Sequence, residues 1–176
     1  MSIKNFVAAG LSLAMVSGVA TAQEAAERPQ ITMGNGERNA IQIEGMTRHD
    51  DAMAVTSKRM DGADSSVMRT NSTSLTFDEV VIEKAGWIVL HPIIDGRPNG
   101  DIVSGFARLE AGRNEEVSIR MHHPADAGSQ YIVMLHSDAN EDGVFDFVFV
   151  EDGINVEDTA VFEGTRMIAH MITLPE

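Results

Sequence analysis

Gln130-Tyr131-Ile132-Val133-Met134-Leu135-His136-Ser137-Asp138-Ala139-Asn140-Glu141-Asp142-Gly143-Val144-Phe145-Asp146 decides how this chain is read. Its first part, residues 130–136, is almost continuously apolar, as expected of a central strand buried on both faces. Its second part is a D-x-N-x-D-G-x-x-D run. Oxygen-bearing side chains alternate there, a glycine follows the third, and another acid comes three residues later. Such a run wraps a hard cation, and here it sits between strands.

Strand-like runs recur outward from this stretch. Leu75–Glu83 alternates around Leu75, Phe77, Val80 and Ile82, with a slip of register near Asp78. Trp87–Ile94 is closed by the turn-forming Asp95-Gly96-Arg97-Pro98-Asn99-Gly100. Ile102–Leu109, Glu116–His122, Phe145–Val150 and Arg166–Leu174 complete the set. In Glu116–His122 the apolar Val117, Ile119 and Met121 share one face. About seven short strands with a turn every eight to twelve residues predict an all-β fold, an antiparallel Ig-like β-sandwich. Trp87 and Phe106 are the expected aromatic anchors between the sheets.

The N-terminus reads as an export signal. Lys4 precedes an apolar run from Phe6 to Ala20, and Ala20-Thr21-Ala22 forms an A-x-A cleavage site before Gln23. The run is short for a bilayer span, and no later segment is apolar enough for one. The expected organisation is a signal peptide over 1–22, a flexible polar extension over 23–70 and a β-sandwich over 71–176, in a periplasmic or secreted protein. There are no cysteines. Disulfides, a lipoprotein anchor, blue-copper sites and thiolate zinc sites are therefore excluded.

The formal net charge is −14, unevenly placed. Residues 23–70 hold eight acids and six bases, whereas residues 71–176 hold nineteen acids and six bases. An acidic surface without a basic patch repels nucleic acid and anionic membranes. It suits cation binding and solubility. The expected partner is a protein or surface of unidentified kind. The extension is rich in turn formers and lacks aromatics. Ala40–Ile43 is its one strand candidate, and Met46, Met53 and Met60, spaced by seven, are compatible either with a weak amphipathic helix or with a solvated linker.

The order of pieces resembles a known family. Val80-Val81-Ile82 leads to Gly86-Trp87-Ile88-Val89-Leu90-His91, then to Val103-Ser104-Gly105 and Leu109-Glu110-Ala111-Gly112. Val117-Ser118-Ile119 follows, and Leu135-His136-Ser137-Asp138 runs through Asn140 and Gly143 into Phe145-Asp146-Phe147. Over about Ser74–Thr173 this resembles extracytoplasmic domains of unknown function, frequent in haloarchaeal surface proteins and found also in exported bacterial proteins. The resemblance implies an Ig-like sandwich at or outside the cell surface and supplies no catalytic residues. In that family a long acidic excursion often follows the signature. Here Glu151–Asp158 is short, which implies a reduced site if the excursion ligates an ion.

In the acidic loop, Asp138, Asn140 and Asp142 hold the first, third and fifth positions of a calcium loop and Gly143 the sixth. The Val144 carbonyl falls at the seventh and Asp146 at the ninth. The twelfth position is Phe149 instead of glutamate, so the loop is not an EF-hand. The expected metal ligands are Asp138, Asn140, Asp142, Val144 and Asp146, the expected ion is Ca²⁺, and Glu151 or Asp152 are remote candidates to complete the shell. The same residues also build a tight hairpin turn without any ion.

A rival reading is a periplasmic copper-binding protein using Met121, His123, Met134, His136, His170 and Met171, since imidazole and thioether suit copper. No H-x-H or H-x₃-H pair supports it. Catalysis is not expected. His136-Ser137-Asp138 holds triad residue types, but neighbours on a strand point to opposite faces.

Overall fold

The computed structural model describes residues 30–58, 64–147 and 157–176, and for 51–58 and 64–71 the backbone only. Every regular element among the described residues is a strand. In chain order they are β1 (Thr32–Met33), β2 (Ala40–Ile41), β3 (Thr47–Lys58), β4 (Asp64–Ile82), β5 (Gly86–Ile94), β6 (Arg97–Pro98), β7 (Gly105–Leu109), β8 (Gly112–Arg120), β9 (Gln130–Ser137), β10 (Phe162–Glu163), β11 (Arg166–Met167) and β12 (Ala169–Thr173). No helix among these residues is long and apolar enough to cross a membrane.

One antiparallel sheet runs β12-β9-β5-β7, with β6 folded onto the end of β5 through the turn at Asp95-Gly96. A second is built on β4. Its last residues pair with β8 on one edge, while β2 and β3 follow one another along the other edge. Residues 51–58 and 64–71 pair only with each other, so the β3–β4 hairpin continues past the sheet as a two-stranded ribbon. A small third sheet joins β10 and β11 to β1, the latter in parallel.

The two larger sheets share one buried cluster. Leu75, Phe77, Val80 and Ile82 of β4 and Val117 and Ile119 of β8 meet Ile88 and Leu90 of β5, Leu109 of β7 and Val133 and Leu135 of β9. The slip expected at Asp78 is present. The inward set changes parity between Phe77 and Val80, and β8 carries Glu116 at φ 52° opposite that point. Burying one such large aliphatic side chain contributes about 1.5–3 kcal/mol, so this cluster dominates stability.

Three expectations are corrected. Trp87 is buried but does not lie between the sheets, and Phe106 is 38% exposed. In β5 both residue parities are apolar, so alternation cannot say which face turns inward. Ile88 and Leu90 do, leaving Trp87, Val89 and His91 on the outer face. Phe145–Phe147 is not paired as a strand, and the rest of that expected strand lies outside the described residues. The flexible extension is revised for its described part, which forms β1, β2, β3 and the start of β4. Met53 lies in β3, so no helix joins it to Met46, and Met60 lies outside the described residues.

Side-chain hydrogen bonds hold the short N-terminal strands. The Glu163 carboxylate accepts from the backbone N–H groups of Glu37, Arg38 and Asn39 and from Asn39 Nδ2, at 2.8–3.0 Å. Those donors hold its pKa down at about 2. Asn35 Oδ1 accepts from Ile41 N at 2.8 Å, and Ile41 itself is fully buried in the core.

Candidate functional site

The outer face of the β12-β9-β5-β7 sheet carries the densest chemistry. Trp87 and His91 on β5 and His136 on β9 line it, and the chain after β9 folds back over them. Phe145 packs on Trp87 and Phe106, with ring centroids 5.5 and 4.7 Å apart. Phe147 stands edge-on to His136 at 4.9 Å and to His91 at 5.9 Å. The loop is thus an apolar lid whose acidic shoulder comes first. Gly86 opens β5 because its α-carbon lies against the His136 carbonyl, where any side chain would collide.

The acidic shoulder, residues 138–146, is knit by its own side chains. Asp138 is buried, its side chain 2% exposed. Its Oδ2 accepts from Arg108 Nη1 at 2.8 Å and from Gly143 N at 3.1 Å. Gly143 has φ 72°, and a β-carbon there would crowd the Arg108 guanidinium. Asn140 Oδ1 accepts from Asp142 N at 3.2 Å, and Asp142 Oδ1 from Val144 N at 2.8 Å. Asn140 Nδ2 donates to Glu157 Oε2 at 2.9 Å. The Val144 side chain points to solvent. The fully buried Asp158 binds the loop from the far side, accepting from Ala139 N at 3.2 Å and Asp146 N at 3.1 Å.

The charges do not balance. Asp146 and Asp138 lie close enough to Asp158 to raise its proton affinity, and Arg108 is paired with Asp138. The Arg108 hydrogen bond holds Asp138 below the usual carboxylate range, while burial pushes Asp158 up. Among the described residues four buried side-chain atoms have no hydrogen-bond partner, and two of them are Asp138 Oδ1 and Asp146 Oδ1. No group of three or more His, Asp or Glu side chains among the described residues is arranged to hold a metal ion.

The model of a domain of unknown function, DUF7282, matches residues 62–171. The chain belongs to the DUF7282 family. Cell surface glycoprotein 1 of Haloarcula hispanica is 27% identical over 102 residues, covering 58% of this chain and 11% of the relative. Cell surface glycoprotein 2 of the same organism is 26% identical over 96 residues, covering 52% and 10%. The chain therefore spans about a tenth of the length of the curated relatives it matches. No solved structure matches it.

Within this DUF7282 domain, each conspicuous letter of the L-H-x-D…G-x-F-D-F run has a place. Leu135 enters the core, His136 the outer face, and Asp138 the Arg108 pair, while Gly143 makes the turn and Phe145 and Phe147 form the lid. Sequence reasoning missed Arg108 and Asp158. The signal for Arg108 was faint, a lone base on a strand, which the ladder sets opposite Trp87 with its guanidinium 5.2 Å from the ring centroid. Asp158 had none. The remote candidates Glu151 and Asp152 lie outside the described residues.

The His and Met set drawn up for copper is not brought together. Met121 is in the core, His123 is exposed, and Met171 is 43% exposed. His170 Nε2 bonds Asn35 Oδ1 at 2.8 Å. Nor do His136, Ser137 and Asp138 form a relay. Ser137 Oγ donates to Thr159 O at 3.2 Å, and Asp138 is held by Arg108.

Proposed function

We propose that this chain is an exported, surface-associated structural module, Ig-like in its two-sheet arrangement, whose acidic loop is completed by Ca²⁺ and whose partner is another surface component. The observation that carries the calcium reading is the pair of buried carboxylate oxygens, Asp138 Oδ1 and Asp146 Oδ1, that no donor among the described residues reaches. A buried charged oxygen without a partner is costly, and a hard cation relieves it. Gly143 in the left-handed conformation at the sixth loop position adds support, as do the Asn140 and Asp142 oxygens on the same turn. Likeness to cell surface glycoproteins supports the extracellular placement.

Thermal melts in EDTA and in 10 mM Ca²⁺ test the reading. A calcium-dependent rise in Tm that Asp142→Ala removes is the expected result. Superimposable melts would leave the loop as a hydrogen-bonded turn and end the calcium proposal.

A further inference from the structure

His91 and His136 face one another beneath the lid, and neither shows more than 1% of its surface. Each Nδ1 lies against a backbone carbonyl, His91 on Ile102 O at 2.8 Å and His136 on Asp158 O at 2.6 Å. A carbonyl oxygen only accepts, so each Nδ1 carries the ring proton. Each Nε2 is then a bare lone pair. The two Nε2 atoms are 3.4 Å apart, and the ring centroids 5.5 Å apart. The difference between these separations is close to the width of one imidazole, so the nitrogens lie nearly on the line joining the rings. Two acceptors thus point head-on in an apolar enclosure, with no donor between them.

We infer that the Nε2 atoms of His91 and His136 form a two-coordinate site for a soft monovalent cation, Cu(I) in chemical class. Histidine ligands of metals commonly donate the other ring N–H to a carbonyl or carboxylate, which fixes the tautomer, and both rings are fixed in that way here. Zinc requires about four ligands, and no group of three or more His, Asp or Glu side chains is arranged for one among the described residues. A filled-shell monovalent ion accepts two nitrogens in line, and imidazole suits copper. Metal–nitrogen bonds of about 2 Å each would need the nitrogens about 0.6 Å farther apart than they stand. Phe145 and Phe147 shield the site from water and from hard ligands. This site uses none of the oxygens assigned to calcium and stands or falls separately.

The test uses the whole exported chain with Ag(I) as a redox-inert probe. Native mass spectrometry is expected to show one retained ion. ¹⁵N spectra are expected to show both Nε2 resonances displaced and both Nδ1–H groups kept. His91→Phe and His136→Phe, each checked for a cooperative melt, are expected to lose the ion. Asp142→Ala is expected to keep it while losing the calcium response. The inference is overturned if no ion is retained, if both Phe variants retain it, or if the ion moves methionine methyl signals and leaves the histidine nitrogens unchanged. The ¹⁵N measurement on the unmodified chain decides the matter even if a variant does not fold.

Discussion

Two carboxylate knots in this domain solve the same problem differently. At Glu163 a single carboxylate meets four N–H donors from residues 37–39, and both of its oxygens are satisfied. At the acidic loop Arg108 pairs with Asp138, while Asp146 and Asp158 lie nearby, and two buried oxygens have no donor among the described residues. The first knot is complete within the polypeptide. The second is not completed by the described residues. Backbone amides can therefore neutralise one anion fully, whereas several anions brought together by a lid leave charge that one arginine does not cover.

The contrast breaks most visibly at Asp158. Asp158→Ala removes a buried acceptor from the N–H groups of Ala139 and Asp146, and two hydrogen bonds to a charged group are worth about 3–5 kcal/mol together. Urea unfolding should show that loss. An unchanged midpoint would mean that Asp158 does not hold the loop.

Acid should separate the two knots in metal-free buffer. Burial lowers the His136 pKa to about 4, below its usual 6.5, so the unfolded chain binds that proton more readily. The stability contribution is full above pH 6.5 and is lost as the pH falls toward 4. It amounts to about 3 kcal/mol, from 1.36 kcal/mol per pKa unit. Glu163, held at about 2, contributes stability above its usual 4.5 that is lost only between there and pH 2. Histidine ring signals should thus report the lid loosening before the amides of residues 37–39 lose protection from hydrogen exchange.

Calcium should act on one knot alone. With affinity on the order of 10⁻⁴–10⁻³ M, 10 mM Ca²⁺ stabilises by about 1.4–2.7 kcal/mol, a rise of several degrees in Tm. Glu163→Gln should retain that rise and Asp142→Ala should lose it. The smallest effect is expected from Glu163→Gln itself. It keeps the shape of the side chain but not the charge, and should speed hydrogen exchange at Glu37, Arg38 and Asn39 with only a slight fall in Tm.

Much of the strand framework was legible because its signals are local. The apolar run at 130–136 and the alternation of Val117 and Ile119 each appear as strands in place. β2 lies within the expected Ala40–Ile43, whereas β1 was hard to read because a two-residue strand carries no period, and hydrogen bonds of Asn35, Asn39 and Glu163 hold this N-terminal stretch. The loop was legible as an oxygen-rich turn, but its lid function was not. That function depends on which face of β5 is outward, and a strand apolar on both faces does not declare it. The His91–His136 encounter needs the β5–β9 register, in which His91 pairs with Ile132 and His136 with Trp87, so the rings approach diagonally. Nothing local to either histidine announces a partner 45 residues away.

The parallel pairing of β1 with β11 has a mechanical consequence. Tension applied between residue 30 and residue 168 enters β1 at its N-terminal end and leaves β11 at its C-terminal end. The two strands are then drawn past one another, and Thr32–Arg166 and Met33–Met167 are loaded together instead of peeling in turn. The Glu163 bonds to residues 37–39 stand just behind that contact as a second catch. A module built this way resists stretching at its seam.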